Sequence, residues 1–299
     1  MNSPILLCSG RLTINFNQIL EPDSSRMQNP FKTPMLIDEI RFRTDWGDTQ
    51  VGTDLLSARV EIKLGRTPLT KGFVPVSCLG KVILDQPYVN YSPDNITRRH
   101  TWKLPKPLLV MPEDLLVCRL AYSTYKSPES MSIEVAYAGR SLPSSFVPPE
   151  VISMPWATSF DVPLLAYTDG NSGQTLSTQS DIMNPFDEPM RVQRFLGRTL
   201  RKNNQTDPHS ELGGQAGDSA PFTQTFVRAT DSLGNILVRD PTPFAHLFQY
   251  CDRAWTVNST LPPKGFYRFQ VDRLYTATAS NTFFAHAISM VGSHEVRLK

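Results

Sequence analysis

Hydrophobic and polar residues alternate along short segments that are spread over most of this 299-residue chain. Leu12, Ile14 and Phe16 alternate with polar neighbours in residues 11–17, and the same pattern occupies residues 58–64. Alternation with a period of two is typical of strands that bury one face. These two segments are therefore predicted to be half-buried β-strands.

Similar segments continue to the end of the chain, and the prediction they give is almost entirely β. The other predicted strands are residues 36–43, 81–84, 115–122, 131–137, 190–195, 222–228, 236–239, 265–274 and 283–291. Clusters of Pro, Asp, Asn and Gly, such as residues 93–95 and 169–171, separate the strands in the way that turns do. No long stretch has helical periodicity, so the sequence predicts an all-β protein.

One half of the chain resembles the other. The segment N-P-F-K-T-P-M at residues 29–35 returns as N-P-F-D-E-P-M at residues 184–190, which is 155 positions later (184 minus 29). Three downstream residues recur at an offset of 153, since Trp102, Tyr122 and Gly139 correspond to Trp255, Tyr275 and Gly292. Matches that keep their order across both halves indicate an internal duplication of one domain. This period far exceeds the roughly 20 to 50 residues of solenoid repeats, so each copy should have its own core.

The duplication predicts two domains in tandem. We expect an N-terminal domain over residues 1–143 and a C-terminal domain over residues 144–299, with a short proline-rich junction at residues 141–149. Short antiparallel strands over about 150 residues fit an eight-stranded jelly roll, whereas an immunoglobulin-like sandwich has about 100 residues. The predicted fold class is all-β, with two tandem eight-stranded jelly-roll β-sandwiches lying side by side.

The repeated motif has a structural interpretation. Proline forces the asparagine before it into an extended conformation and lacks an N–H for a sheet, so a strand should begin just after the motif. Strands are therefore expected to begin near Met35 and Met190, with Phe31 and Phe186 plugging the end of each sandwich. A recognition loop is the functional alternative.

Two polar stretches are expected to form long exposed loops. They are residues 201–219, which are rich in Asn, Gln and Gly, and residues 85–101. Long loops are often functional, and on a sandwich they can contact other subunits or a receptor; a solvated loop is the alternative. Deleting residues 202–218 is predicted to leave folding intact and to impair assembly or attachment.

Composition and charge narrow the class of protein. Hydrophobic residues make up 40% of the chain and charged residues 19%, and the formal net charge is only +2. Acidic and basic residues are interspersed, so we predict no sequence-specific binding of nucleic acid. The first ten residues lack the basic segment of a signal peptide, and no run of about 18 apolar residues predicts a membrane helix. We expect a soluble protein that is made inside the cell.

Catalytic and metal-binding patterns are missing from the sequence. The four cysteines and five histidines form no zinc or redox motif, and the thiols are expected to be buried. Neither a P-loop nor a G-x-S-x-G motif occurs. The acidic pairs Asp38-Glu39 and Glu113-Asp114 would alternate faces on a strand, so solvated positions are expected. We predict no catalytic, cofactor-binding or metal-binding residue, no cofactor and no enzyme activity, with a β-sandwich glycosidase as an open alternative.

Two tandem jelly-roll-sized domains, a short linker and no catalytic motif give the whole chain a resemblance to a known family. It resembles the double jelly-roll major capsid proteins of tailless icosahedral viruses, especially those of bacteriophages with an internal membrane. The resemblance implies a structural virion protein whose trimers arrange six sandwiches as a hexagon. Such trimers are the pseudo-hexameric capsomers of an icosahedral shell. The implied location is the virion, after synthesis and assembly in the host cytoplasm.

The resemblance also implies the partners of the chain. These are two further copies in a homotrimer, neighbouring capsomers, minor or penton capsid proteins and, where the virion has one, an underlying lipid membrane. Obligate interfaces of this kind bury about 2,000 Å² or more. Candidate interface groups, each with the protein core as its alternative, are Tyr88, Tyr91, Phe222 and Phe226. Arg297 and Lys299 are candidates to face a membrane or genome.

A tandem β-sandwich binding protein is the second hypothesis, for example a virion spike, a minor capsid component or a carbohydrate-binding module. Its aromatics Trp46, Trp156 and Tyr167 would act as stacking platforms for sugars. This hypothesis predicts a monomer or small oligomer with measurable glycan affinity. A capsid subunit instead predicts a compact trimer and higher-order assembly.

Overall fold

Strands account for most of the structure, which is a computed structural model. It describes residues 5–14, 19–20, 26–46, 58–84, 98–122, 131–166, 175–203, 225–248, 255–274 and 282–297. The first half holds the strands β1 (Ile5–Ile14), β2 (Ile19–Leu20), β3 (Arg26–Gln28), β4 (Met35–Trp46), β5 (Ala58–Leu64), β6 (Thr67–Pro68), β7 (Val74–Pro75), β8 (Lys81–Leu84), β9 (Arg98–Val110), β10 (Leu115–Tyr122) and β11 (Met131–Ser141).

The second half has the same organisation. Its strands are β12 (Val151–Ala166), β13 (Thr175–Met183), β14 (Met190–Asn203), β15 (Thr225–Asp231), β16 (Ile236–Pro243), β17 (Trp255–Leu261), β18 (Phe266–Leu274) and β19 (Thr282–Arg297). The helices of the described residues are a 3-10 turn (Val76–Cys78) in the first half and α1 (Phe244–Leu247) in the second. The prediction of an all-β protein is confirmed.

The strand order identifies two jelly rolls. The sheets of the first half run β1-β11-β4-β9-β8 and β2-β10-β5-β6, with β3 on β10 and β7 on β5. Those of the second half run β12-β19-β14-β17 and β13-β18-β15-β16. We count β2 and β3 as one interrupted strand, likewise β6 and β7, and treat β8 as an extra edge strand. Lettering the strands of each half B to I in chain order then makes β1 and β12 strand B, β4 and β14 strand D, and β11 and β19 strand I. Both halves have the sheets B-I-D-G and C-H-E-F. This is the double Greek-key order of a jelly roll, and it confirms the predicted fold class.

Alternation predicts some strands well and misses others. The observed bounds of β5, β8 and β10 equal the predicted ones. Residues 11–14 and 225–228 of two other predicted strands belong to β1 and β15, and the rest of those predictions, residues 15–17 and 222–224, lies outside the described residues. The pattern does not predict β9, β12, β13 or β17. Both β9 and β12 contain two prolines, which interrupt a strand pattern. The fold tolerates these prolines because β12 is an edge strand and because the pairing of β9 with β4 is interrupted where its prolines fall.

Each jelly roll has its own hydrophobic core between its two sheets. The largest side chains fully buried in the first core include Phe42, Trp102 and Tyr137. In the second core, the ring of Phe195 contacts Tyr267 and Phe269 edge-on, with centroids 5.1 and 5.0 Å apart. Edge-to-face pairs of this kind add to the stabilisation that comes from burial alone. The two cores are therefore built from different side chains.

The two jelly rolls pack directly against each other. Residues of the second half that join the first hydrophobic core are Met154, Ala157, Leu196, Ala287 and Val291. The connection between β11 and β12 is residues 142–150, and it is anchored where the Leu142 N–H donates to the carbonyl oxygen of Pro34 at 2.7 Å. The B-I-D-G sheet of the second jelly roll is thus covered on both faces.

Candidate assembly interface

The N-P-F motif closes a corner of each jelly roll through a buried asparagine. In the first copy, the Phe31 N–H donates to Oδ1 of Asn29 at 2.9 Å. The Nδ2 group of Asn29 donates to the carbonyl oxygens of Thr33 at 3.0 Å and Val110 at 3.2 Å. The side chain therefore folds the motif into a turn and ties it to the end of β9.

The second copy repeats this corner. The Phe186 N–H donates to Oδ1 of Asn184 at 3.0 Å, and Nδ2 of Asn184 lies 2.9 Å from the carbonyl oxygen of Glu188. Nδ2 also approaches the carbonyl oxygens of Leu261 at 3.3 Å and Pro262 at 3.0 Å, at the end of β17. Because Asn184 is fully buried, these bonds replace the water that its amide loses.

The predicted strand starts are confirmed, since β4 begins at Met35 and β14 at Met190. The predicted aromatic plug exists only in the second copy. There, the ring of Phe186 stacks on His294 with centroids 3.5 Å apart and meets Trp156 edge-on at 4.9 Å. Phe31 is 36% exposed, so the prediction for the first copy is wrong. The residue at the position of His294 in the first copy, at the offset of 153, is Ser141, which offers no ring.

The glycines of the repeat also have a structural role. A Cβ at Gly139 would lie 1.9 Å from the carbonyl oxygen of Leu36, and one at Gly292 would lie 2.3 Å from that of Arg191. Both glycines lie where the D and I strands shift register, at Ala138/Gly139 and at Val192/Arg194. Only glycine permits this close approach, which explains why the residue occurs in both copies.

The first jelly roll docks on the edge of the second through backbone hydrogen bonds. Thr70 forms a parallel bridge with Ala157 of β12. The Lys71 N–H donates to the carbonyl oxygen of Ala157 at 2.9 Å, and the Ala157 N–H donates to that of Leu69 at 3.0 Å. Residues 69–71, which follow β6, thereby close the outer edge of β12. An uncovered strand edge would otherwise invite pairing with other chains.

Further contacts attach the 3-10 turn of the first jelly roll to the outer face of the B-I-D-G sheet of the second. The Ser289 hydroxyl of β19 donates to the carbonyl oxygen of Cys78. Arg59 and Asp161 form an ion pair at 2.6 Å, with Arg59 the more buried partner. Small residues on this face, such as Ala287 and Ser289, let the turn approach closely. We call this contact, made by residues 69–79 on β12, β14 and β19, the internal interface.

Three of the four residues in the acidic pairs of the sequence have structural partners, and Glu113 is exposed. Asp38 lies 3.5 Å from a guanidinium nitrogen of Arg140, and Glu39 accepts a hydrogen bond from Arg41. Glu39 is buried, so the prediction of a solvated position is wrong for this residue: its ion pair offsets the loss of water. Asp114 accepts a hydrogen bond from the Met111 N–H at 2.8 Å and thereby closes the turn between β9 and β10.

The residues predicted to lie in an interface or to bind sugars differ in how exposed they are, and several lie outside the described part of the chain. Phe226 is half-buried in β15, and Arg297 is the exposed last residue of β19. Trp156 is 2% exposed within β12, so it cannot stack on a sugar, and that prediction is wrong. Trp46 is the last residue of β4, whereas the following residues lie outside the described part of the chain: Tyr88, Tyr91, Tyr167, Phe222 and Lys299.

The two predicted loops are shorter than expected at the ends that the structure describes. Residues 98–101 belong to β9, and residues 201–203 belong to β14, where Lys202 pairs with Phe283 of β19. The polar and charged residues at the end of β14 interrupt its alternation of hydrophobic and polar positions, so the pattern does not predict a strand over residues 201–203. Residues 85–97 and 204–219 lie outside the described residues. A deletion that begins at Lys202 would therefore remove the end of a paired strand.

The described residues contain few groups that are suited to metal binding or to reaction as a nucleophile. Cys78 and Cys118 are buried and form no disulfide, and burial raises the pKa of the Cys118 thiol to about 12. Across the described ranges, no three residues among His, Cys, Asp and Glu are grouped so that they could hold a metal ion. The same ranges contain no helix that is both long and apolar enough to span a membrane.

By sequence, the chain matches no family model and no curated protein. By structure, it is similar to several solved proteins. The chain is similar to the STIV major capsid protein, with a TM-score of 0.46 and 10% identity over 97% of both chains. It is similar to PBCV-1 VP54, with a TM-score of 0.44 and 9% identity over 98% of this chain and 95% of that chain. The mavirus major capsid protein gives a TM-score of 0.37 and 6% identity, over 98% and 86% of the two chains. These are double jelly-roll major capsid proteins of large icosahedral viruses.

Proposed function

We propose that this chain is a major capsid protein whose trimers form the pseudo-hexameric capsomers of an icosahedral shell. The observation that carries the proposal is the internal interface, where the first jelly roll uses one surface to contact a different surface of the second. Such a heterologous contact leaves the opposite pair of surfaces unused at the two ends of the chain. Repeating the contact between chains closes a ring when the rotation permits it.

In this function the chain acts through shape and association, with no reaction and no cofactor. Jelly rolls recur in viral capsids, where loops and strand edges make the contacts between subunits. The partners are two further copies of the chain, neighbouring capsomers, minor or penton capsid proteins and, where present, a lipid membrane beneath the shell. The functional units are the domains 1–143 and 144–299. The virion is the corresponding location, and a bacteriophage host belongs to the same proposal.

The native mass and negative-stain outline of the purified protein test this function. We expect a trimer with a hexagonal outline, because three chains supply six similar sandwiches. A monomer at high concentration would contradict the proposal and would favour a binding protein, for which glycan arrays are the next measurement. A trimer without a hexagonal outline would also count against the capsomer.

A further inference from the structure

The two B strands of the molecule differ in what covers their outer edges. In the second jelly roll, residues 69–71 close the edge of β12. In the first jelly roll, the equivalent strand β1 pairs with β11 on one side and is the last strand of its sheet. Within the described ranges, no strand pairs with the other side of β1. Open strand edges favour the addition of a further segment.

A segment suited to this edge occurs in the second jelly roll. Residues 239–241 of β16 are all exposed. They lie where the pairing of β16 with β15 is interrupted, between Val238 and Thr242, just as residues 69–71 lie where the pairing with β5 is interrupted between β6 and β7. They therefore hold the place in the second jelly roll that the docking residues hold in the first. The chain has one such segment in use and one that is exposed.

We infer that residues 239–241 of one copy of the chain close the outer edge of β1 in a second copy, repeating between chains the contact that residues 69–71 make with Ala157 within the chain. This inference rests on the proposed function and specifies which surfaces join the subunits. Every copy supplies one segment and accepts one. The contact is heterologous, so a ring leaves no segment and no edge unused.

The strand register identifies the residue of β1 that meets the segment. Ala157 lies opposite Val291 of β19, and Leu6 lies opposite Ala138 of β11, the residue that corresponds to Val291 at the offset of 153. Ala157 directs both its N–H and its carbonyl group away from β19. Because these directions alternate along an antiparallel strand, Leu6, at the equivalent place, presents the same two groups at the open edge. Leu6 is thus the expected centre of the contact.

The outer face beside β1 differs from its counterpart in charge. Ala138 and Ala136 are small, like Val291 and Ser289 at the equivalent positions of the internal interface. Leu196 of the internal interface is replaced by Arg41, whose side chain is 43% exposed. The arriving segment is also charged, since it contains Arg239 and Asp240. Charges on both sides favour a contact that is selective and sensitive to salt, so the contact between chains should be more polar than the internal one.

Disulfide cross-linking tests the inference directly. In a chain with Cys8→Ser and Cys251→Ser, we would introduce Leu6→Cys together with Asp240→Cys and oxidise the assembled protein. A non-reducing gel should show covalently linked dimers and trimers, because the inferred contact would bring the two positions within the Cα distance of about 4.4 to 6.8 Å that a disulfide requires. The matched control is Thr13→Cys with Asp240→Cys. Thr13 is in the same strand but about 20 Å further along it, so this pair should stay at monomer size.

The outcomes separate the inference from the proposed function. A trimer by native mass that gives no linked species with Leu6→Cys, or equal linking with Thr13→Cys, overturns this contact and leaves the capsomer standing. Absence of any oligomer overturns the capsomer itself. Should Leu6→Cys prevent folding, as judged by circular dichroism, Ile5→Cys with Arg239→Cys replaces the pair. Both positions move one residue back along the parallel contact, so their side chains stay on one face and the same result is expected.

Discussion

Phe42 of the first jelly roll and Gly197 of the second occupy the same place on the D strand. Each lies opposite an equivalent residue of the I strand, Val135 in the first copy and Ile288 in the second. Phe42 is fully buried in its core. A Cβ at Gly197 would lie only 2.4 Å from the ring of Phe248. The copies therefore differ in which element supplies the large side chain.

This difference shows that the duplicated fold fixes the volume of the core and not the residue that fills it. In the second copy, Phe244 and Phe248 of the α1 region fill the space in front of Gly197. In the first copy, the short 3-10 turn carries smaller side chains, and Phe42 fills the space from the strand. The hydrogen bonds of Asn29 and Asn184 remain the same throughout. Core packing tolerates such exchanges when the total volume is kept.

Replacing Phe42 by Ala should produce the largest effect, because no helix ring fills the cavity in the first copy. The free energy of unfolding is expected to fall by about 3 to 5 kcal/mol, as measured by urea denaturation. Phe31→Ala is the matched control, since the same side chain is 36% exposed there, and its loss should be about 1 kcal/mol or less. Equal losses would show that the first core does not depend on Phe42.

A pH effect should distinguish the second copy from the first. Burial lowers the pKa of His294 to about 4 from its ordinary value of 6.5. Between these values the unfolded chain binds a proton that the folded chain does not, so stability should fall as pH decreases from about 6.5 to 4, by up to about 3 kcal/mol. Urea denaturation at several pH values measures this loss.

The control for the pH effect is His294→Ser, which introduces the residue that the first copy has at this position, Ser141. The carboxylates of the protein titrate in both chains, so only the difference between the two pH profiles reports on His294. We expect the variant to lose less stability over this range. Parallel profiles would mean that the imidazole is not held neutral in the folded protein.

Adding a single methyl group at Gly197 should be costly for the opposite reason, which is overpacking. Gly197→Ala is expected to lower the free energy of unfolding by about 1 to 3 kcal/mol. Phe248→Ala in the same chain removes the nearer of the two rings that the new Cβ would meet, so the double variant should lose less than the two single variants together. A double-mutant cycle measures this coupling. Strict additivity would indicate that the ring moves away without cost.

The smallest expected difference lies between the two motif asparagines. Asn184 approaches three carbonyl oxygens and Asn29 two, so Asn184→Ala should destabilise the protein by about 1 kcal/mol more than Asn29→Ala. The same denaturation experiment measures both variants, and each serves as the control of the other. A larger loss for Asn29→Ala would show that the second corner is held mainly by the Phe186 stack.

Sequence periodicity and the repeat predict the fold class because both follow from local pattern and from chain order. The role of Asn29 and Asn184 is harder to predict, since their partners Val110 and Leu261 lie 81 and 77 residues away along the chain. The internal interface gives no signal in the sequence. Ala157 and Ala287 look like ordinary strand residues, and alternation cannot tell a face that covers its own core from one that meets a second domain. The exchange between Phe42 and Gly197 is hidden for the same reason.

The nine residues that join β11 to β12 have a kinetic consequence. A tether of this length reaches about 30 Å at most, so it holds the two jelly rolls at an effective concentration on the order of millimolar or above. The internal interface therefore forms at a rate that does not depend on how much protein is present. In the proposed capsomer, only the contact between chains would respond to protein concentration. Under the proposed function, duplication within one chain would thus leave only the association of chains to control when assembly starts.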